Sequence, residues 1–143
     1  MASYIQPVLP SGVEVDAKAV EFFDNFYKTS DTPTAPEAYA ESFTADATFI
    51  LASKKCIGYD EILSTRHGMW ASVTSRHHTV TKIFPFGVDS QEYMLYGTVE
   101  YTSKTGHKSG KDWAARAVLE KVSSGQLKFK FYQVYIDTAA SSS

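Results

Sequence analysis

Four strand-like segments joined by short polar turns dominate the second half of the chain and constrain its fold most. From Ser75 onward apolar and polar residues alternate, which predicts strands over residues 77–86, 92–102, 111–122 and 127–137. Each of the intervening turns is short and combines a glycine with polar residues. Because short connections join strands that run in opposite directions, the four segments are predicted to form an antiparallel meander.

The first half of the chain shows helical spacing instead, since apolar residues recur there three and four positions apart. This spacing predicts helices over residues 16–30, 37–43 and 59–74, with Asp16 at the start of the first. A strand over residues 47–52 is predicted between the second and third helices. Helices followed by a meander favour an α+β protein with the helices on one face of an antiparallel sheet. A strongly twisted sheet leaves a concave side where a cavity can form.

The length of 143 residues, without a recognisable linker, predicts a single domain over residues 1–143. Its ordered core is predicted to span about residues 14–138, with residues 1–12 as a loose arm broken by prolines. Aromatic residues make up 14% of the chain, a content that suits strands and the walls of an apolar ligand cavity.

Charge, hydropathy and cysteine content argue against several classes of partner. The formal net charge is −2 and no basic stripe is present, so no nucleic acid partner is expected. No apolar run approaches the roughly 20 residues of a membrane span, and no signal peptide is expected at the N-terminus. Cys56 is the single cysteine, and it is expected to be buried and inert. A cytoplasmic location is therefore expected.

Several sequence pieces, weak alone but persuasive in their order, make the chain similar to a known family. They are the aromatic first helix Val20–Tyr27, the segment Tyr39–Phe49, Gly58 before the third helix, the run Arg76–Val80, and the closing hairpin that ends at Asp137. Over about residues 16–137 the chain resembles the NTF2-like superfamily, in its SnoaL-like branch.

This resemblance implies a cone-shaped α+β barrel with a deep pocket between helices and sheet. It also implies a homodimer that forms through the outer face of the sheet. The superfamily includes polyketide cyclases, ketosteroid isomerases, epoxide hydrolases, scytalone dehydratase and many binding or assembly modules without enzymatic activity. Its fold therefore does not decide the function.

Scytalone dehydratase is the enzyme of this superfamily that can be compared with the chain position by position. Tyr27 and His78 fall where that enzyme has a first-helix tyrosine and its acid–base histidine. Phe49, Ala114 and Arg116 depart from it, because they replace a second tyrosine, a serine and an asparagine. The resemblance therefore does not imply the same reaction.

The same comparison assigns the two faces of the segment 111–122. It places Asp112, Ala114 and Arg116 toward the pocket, where Ala114 would contact a ligand. The alternate positions would then form an apolar outer row against a second protomer, made of Trp113, Ala115, Ala117 and Leu119.

Three residues besides Tyr27 are candidates for catalysis. His78 is suited to acid–base chemistry near neutral pH, although a core histidine with one hydrogen bond is the alternative. His77 has the opposite parity, so only one of the two histidines can face the pocket. Asp112 and Arg116 are predicted to supply charge, with Arg116 either holding Asp112 ionised or binding a substrate carboxylate or enolate. The alternative for this pair is a structural ion pair at the rim of the pocket.

The remaining candidates are aromatic and apolar side chains that contact a ligand. Tyr27, Tyr101 and Tyr132 offer hydroxyl groups, whereas Phe23, Phe49, Trp70 and Val99 offer apolar walls. Core packing is the alternative for all of them. No His, Cys, Asp or Glu spacing predicts a metal site, and no glycine-rich phosphate loop is present, so no metal or cofactor is predicted.

These residues lead to two hypotheses about function. The first is a cofactor-independent isomerase, cyclase or dehydratase that uses acid–base chemistry on a small, apolar, oxygenated molecule, such as a polyketide- or terpenoid-like intermediate. The second is a protein without catalytic activity, either a module that binds a hydrophobic ligand or a dimeric interaction module whose pocket is filled by its own side chains.

Overall fold

The computed structural model of the protein describes residues 3–138. Its three helices are α1 (Ala17–Ser30), α2 (Pro36–Glu41) and α3 (Tyr59–Met69). Asp16 is the N-cap of α1, since its side chain accepts a hydrogen bond from the backbone N–H of Lys18 at 2.9 Å. None of the helices within residues 3–138 is long and apolar enough to cross a membrane.

Six strands complete the predicted α+β architecture. They are β1 (Phe43–Leu51), β2 (Lys54–Ile57), β3 (Val73–Pro85), β4 (Glu92–Ser103), β5 (Lys108–Lys121) and β6 (Leu127–Ile136). The third helix ends five residues before its predicted end at residue 74, because strand β3 already begins at Val73. This early start adds Arg76 to the strand that carries His78.

All six strands belong to one curved sheet with the order β2-β1-β6-β5-β4-β3. The strands β3 to β6 form the predicted antiparallel meander. Strand β1 extends this meander by pairing parallel to β6, with Phe49 opposite Tyr132, and β2 returns antiparallel to β1. The sheet is therefore mixed, and it is not closed into the barrel that the resemblance implies, since β2 and β3 remain as its two edges.

Aromatic rings from α1 and β6 form the centre of the hydrophobic core. Phe26 of α1 lies edge-on to Phe129 of β6, with 4.6 Å between ring centroids, and Phe129 stacks on Tyr132 at 4.3 Å. Phe23 is fully buried one turn earlier and packs against Tyr93 of β4. The helical spacing of these aromatic residues thus attaches α1 to the concave face of the sheet.

Residues 4–8 of the N-terminal arm are docked on the domain, so the prediction of a loose arm over residues 1–12 is wrong for this part of it. Ile5 is buried, and its backbone N–H donates to the Asp24 carboxylate at 2.8 Å. Val8 forms a parallel bridge to β3 through its N–H, which donates to the carbonyl of Thr81 at 2.8 Å. One buried apolar side chain and two backbone hydrogen bonds are enough to hold this segment. The predicted tail beyond residue 138 lies outside the described residues.

The two faces of β5 are the reverse of those predicted. The row made of Trp113, Ala115, Ala117 and Leu119 is buried against the core and is at most 5% exposed. The charged positions on the opposite parity face outward. The physical reason is that successive strand residues point to opposite faces, and the apolar row is the one that gains from burial against the helices.

Candidate functional site

A cavity of about 80 Å³ lies between the concave face of the sheet, α3 and the C-terminal end of α1. Its apolar wall includes Phe49, Val99 and Trp113, and its polar wall consists mainly of Tyr39, Arg66, Arg76, His78, Tyr101 and Tyr132. A larger groove of about 510 Å³ runs along α1 and α2, but most side chains that line it are exposed to solvent. The smaller cavity is the candidate site, because burial is what perturbs acid–base groups.

A partly buried histidine–carboxylate pair stands at one wall of this cavity. His78 lies on β3, and its Nδ1 is 2.5 Å from Oδ1 of Asp31, the residue that ends α1. The backbone N–H of His78 donates to Oδ2 of Asp31 at 2.8 Å, and the hydroxyl of Tyr4 donates to the same oxygen. This arrangement assigns the imidazole proton to Nδ1 and leaves Nε2 for a ligand.

The protonation states of the pair follow from their surroundings. Burial lowers the pKa of His78, although the hydrogen bond to Asp31 acts in the opposite direction. Burial alone would raise the pKa of Asp31, but the hydrogen bonds from His78 and Tyr4 outweigh it and lower that pKa. At neutral pH the pair is therefore a neutral imidazole beside a carboxylate, the form in which a histidine acts as a base.

Two arginines supply positive charge next to the histidine. Arg66 lies on α3, is only 4% exposed, and stands over the ring of Tyr39 with 4.2 Å between its guanidinium carbon and the ring centroid. Its Nη2 donates to the carbonyl and to the hydroxyl of Ser30, and its Nη1 donates to Sδ of Met69 at 3.1 Å. These contacts hold the guanidinium inside the protein, and no carboxylate within residues 3–138 pairs with it.

Arg76 approaches the cavity from β3, on the same strand face as His78. Its Nη2 donates to the carbonyl of Met69 at 2.9 Å, and its guanidinium carbon lies 4.5 Å from the centroid of the Trp70 ring. Burial lowers the pKa of Arg76, and the nearby charge of Arg66 lowers it further. The two guanidiniums therefore make one region of buried positive charge.

A pair of tyrosine hydroxyls lies behind the cavity. Tyr132 of β6 lines it, and its hydroxyl lies 2.8 Å from the hydroxyl of Tyr27. Tyr27 is fully buried and does not line the cavity, and burial raises the pKa of both hydroxyls. The predicted direct contact of Tyr27 with a ligand is therefore wrong, because its hydroxyl is occupied by Tyr132.

The structure brings several of the predicted site residues together. The cavity is lined by His78, Phe49, Val99, Tyr101 and Tyr132. His77, with the opposite parity, has a side chain that is 55% exposed, as expected for alternation along a strand.

Two of the predicted apolar ligand contacts lie elsewhere. Phe23 is buried in the core beneath the sheet, where α1 packs against it. Trp70 ends α3 and packs beside the two guanidiniums rather than lining the cavity.

The prediction that Asp112, Ala114 and Arg116 line the pocket is wrong, because all three lie on the convex face of the sheet. Arg116 pairs with Glu92, with 2.8 Å between Nε and Oε2, and not with Asp112. Arg116 stands opposite Met94 of β4, which puts Glu92 on the same face at a diagonal position. The ion pair is a half-exposed surface contact.

Sequence reasoning missed three charged residues of the site, each of which carries a detectable signal. Asp31 is an acid at the C-terminal end of a helix, where the helix dipole disfavours negative charge. Arg66 follows Ile62 by four positions and so interrupts the apolar stripe of α3. Arg76 has the same strand parity as His78 and Val80, which point inward.

Comparisons with known proteins give matches in structure but not in sequence. No protein-family model matches the chain, and no curated protein matches it. ActVI-ORFA from Streptomyces coelicolor superposes with a TM-score of 0.73 at 17% identity, covering 85% of this chain and 96% of that chain. A protein assigned as a scytalone dehydratase from Novosphingobium aromaticivorans has a TM-score of 0.74 at 18% identity, covering 85% and 83%. Nuclear transport factor 2 from Cryptosporidium parvum has a TM-score of 0.68 at 10% identity, covering 88% and 100%.

These structures define the class of fold. The chain has the NTF2-like fold, and the prediction from its sequence is confirmed at that level. Identities of this size show the fold alone, and the fold carries enzymes as well as transport factors. The function must therefore be argued from the residues of the cavity.

Proposed function

We propose that this protein is a cofactor-independent enzyme that moves a proton on a small, largely apolar, oxygenated molecule. The observation that carries the proposal is the partly buried contact of 2.5 Å between Nδ1 of His78 and the Asp31 carboxylate, at the wall of a cavity. A carboxylate that holds the Nδ1 proton of a histidine fixes the ring and leaves Nε2 as a base.

In the proposed reaction Nε2 of His78 accepts a proton from a carbon atom next to a substrate carbonyl. The electron pair of the broken C–H bond moves to the carbonyl oxygen and gives an enolate. Asp31 stabilises the imidazolium that forms, because its carboxylate still accepts the Nδ1 proton. In a β,γ-unsaturated substrate the imidazolium returns the proton to the γ-carbon, the carbonyl is restored and the C=C bond moves from Cβ–Cγ to Cα–Cβ, which completes an isomerisation. In a β-hydroxy substrate the carbonyl is restored, a Cα=Cβ bond forms as the β-carbon–oxygen bond breaks, and the hydroxyl group takes the proton and leaves as water.

The neighbouring guanidiniums support the same chemistry. Arg66 and Arg76 line the cavity with His78 and present positive charge where the enolate forms. Charge that is already in place within a buried site stabilises a developing anion without reorganisation of solvent. The likeness in fold to a protein assigned as a scytalone dehydratase supports dehydration as one of the possible outcomes.

The size of the cavity restricts the substrate. Ligand pockets commonly enclose about 300–1,000 Å³, whereas this cavity measures about 80 Å³. Polyketide- or terpenoid-like substrates of full size therefore need movement of the side chains at its edge. A compact substrate, or one that inserts only its reactive end, fits with less change.

Solvent deuterium exchange tests this proposal. Cyclohexanone and 2-oxobutanoate are incubated in D₂O, and loss of their α-proton signals is followed by NMR. The wild-type protein and the exposed-histidine control His107→Gln should accelerate exchange of at least one of them, and His78→Gln should lose about 10²–10⁴-fold of that acceleration. No acceleration by the wild type, or equal rates for a folded His78→Gln variant, would refute the proposal.

A non-catalytic ligand-binding module is the second candidate. The small volume of the cavity favours this candidate. The arginines of the cavity also pack on Tyr39, Trp70 and Tyr101, and these contacts occupy part of the polar wall that a reaction would need. Such a module binds a ligand and forms no product. The exchange experiment separates the two functions.

We also propose that the protein forms a homodimer through the convex face of the sheet. The cross-strand register places four apolar side chains close together on this face, and each of them is 40% to 51% exposed. They are Phe84, Met94, Tyr96 and Tyr135. We call these four residues the outer apolar face. Exposed aromatic and methionine side chains of this kind are enriched where proteins associate.

A further inference from the structure

Arg76 and its neighbour Trp70 each keep a buried hydrogen-bond donor that the described residues leave without an acceptor. Within residues 3–138, the buried side-chain nitrogen and oxygen atoms that lack a partner are Nη1 of Arg76 and Nε1 of Trp70. Both atoms are donors, so the group that would complete them is an acceptor. Because the Trp70 ring lies 4.5 Å from the Arg76 guanidinium and 5.5 Å from that of Arg66, these donors belong to one neighbourhood.

Arg66 is also incompletely matched. Its Nη2 donates to Ser30, whereas its Nη1 meets only the thioether sulfur of Met69, at 3.1 Å. A thioether is a weak acceptor, and Met is a flexible side chain that can move aside. A stronger acceptor that enters the cavity can therefore displace this contact.

The charges of the site point to the same missing group. Within the part of the chain that the structure describes, no carboxylate lies within 4.0 Å of either guanidinium. Asp31 is the acid of the site, and it is already engaged by His78 and Tyr4. With His78 neutral, one positive charge remains in excess, and a buried charge without a partner is unfavourable.

We propose that the cavity binds a compact organic monoanion, in which a carboxylate is held by Arg66 and Arg76 and a small apolar body faces Phe49, Val99 and Trp113. The planar guanidinium fork matches a carboxylate, which offers two acceptor oxygens to two donors. This inference rests on the proposed function only where it takes the bound acid to react at His78.

The charge balance explains why the anion is on the substrate before the reaction begins. The excess positive charge exists in the resting site, so it needs a counter-charge in the ground state. The carboxylate supplies it. During proton transfer the enolate and the His78 imidazolium form together, so the net charge of the occupied site does not change.

The volume of the cavity limits the length of the acid. A cavity of about 80 Å³ lies well below the common range of about 300–1,000 Å³, so it suits a short or branched acid. Isobutyrate is a compact branched acid, and benzoate is a larger probe with a flat apolar body. Isobutyramide and benzamide have the same shapes without the charge.

Calorimetric titration of these four compounds tests the inference. On the wild type, at least one acid should bind about tenfold or more tightly than its own amide. Arg76→Gln should lose about tenfold or more of the affinity for that acid, and Arg76→Lys should recover part of it. The matched control Arg116→Gln removes an arginine on the convex face and should leave the affinity unchanged.

Equal affinities for acid and amide on the wild type would overturn the inference, and so would unchanged acid binding by a folded Arg76→Gln variant. If Arg76→Gln does not fold, the comparison of acid with amide decides alone. His78→Gln should still bind the acid with an affinity within about threefold of the wild type, because the side chain at position 78 is uncharged in both proteins. Acid binding without deuterium exchange would refute the proposed enzymatic function and support the anion site. Deuterium exchange without a preference for acids over amides would support the enzymatic function and refute the anion site.

Discussion

The carboxylate of Asp31 holds the ring of His78 at 2.5 Å, across 47 positions of the chain. Asp31 ends α1, where the dipole of the helix disfavours a negative charge. Three donors offset this cost, namely the ring and the backbone N–H of His78 and the hydroxyl of Tyr4. The docked N-terminal arm therefore takes part in the environment of the proposed base.

The stability of the protein should depend on pH through this pair. The folded state holds the pKa of His78 below its ordinary value of 6.5, so the unfolded chain binds that proton first as the pH falls. Stability is therefore fully present above about pH 6.5 and is lost as the pH drops through the folded pKa. The lowered pKa of Asp31 adds a second loss below about pH 3.8.

Urea unfolding between pH 7.5 and pH 5 measures the first of these losses. The free energy of unfolding of the wild type and of His107→Gln should fall over this interval, and that of His78→Gln should fall less. A His78→Gln variant with the same slope as the wild type would show that another group causes the pH dependence.

Gly97 should be sensitive to the addition of a single methyl group. A Cβ atom at this position would lie 1.9 Å from the carbonyl oxygen of Thr79 and 3.1 Å from the ring of Trp113, which lines the cavity. Gly97→Ala must push β3 or Trp113 aside, and overpacking of this kind costs about 1–3 kcal/mol.

Gly110→Ala is the matched control, because its added Cβ would meet only an ordinary contact of 3.7 Å to the carbonyl of Val99. Chemical unfolding should give Gly97→Ala a free energy of unfolding well below that of the wild type. The free energy of unfolding of Gly110→Ala should be close to the wild-type value. Equal stability of the two variants would mean that β3 yields without cost at Gly97.

The outer apolar face should hold two protomers together. Tyr96 stands at its centre, opposite Ala114 of β5, and a glutamate there would bury a charge against the partner's surface. Light scattering should give the wild type twice the chain mass of 15.9 kDa and give Tyr96→Glu the mass of one chain.

Phe86→Glu is the control for this experiment, since Phe86 is 83% exposed in the turn after β3 and lies outside the sheet. It should keep the mass of the wild type. A wild-type mass of one chain at micromolar concentration would contradict the proposed dimer.

The inverted faces of β5 show how a correct fold prediction can carry a wrong site. A one-residue difference in assigning a strand moves every side chain to the other face. The comparison with scytalone dehydratase assigned the charged row inward. The alternation of the segment itself, with Trp113 and Leu119 on one parity and Asp112 and Arg116 on the other, would have assigned it outward.

The sequence pattern could not have predicted that residues from α1, α3 and β3 meet in one cavity. Asp31, Arg66 and Arg76 look like a turn acid and two ordinary cations in the sequence. Their roles depend on the curvature of the sheet and on the docking of α1 and α3 across it, which bring distant positions within hydrogen-bond reach.

The sequence by itself determined the order of the helices and strands and the antiparallel meander, because periodicity and turn residues are local properties of the chain. Its resemblance to one superfamily predicted the NTF2-like fold. It also singled out His78 on the inner parity of β3. Only the tertiary structure decided which acid faces that histidine, which arginines share its cavity, and which face of β5 is buried. Those outcomes depend on burial and on contacts between elements far apart in the chain, and such contacts leave little local signal.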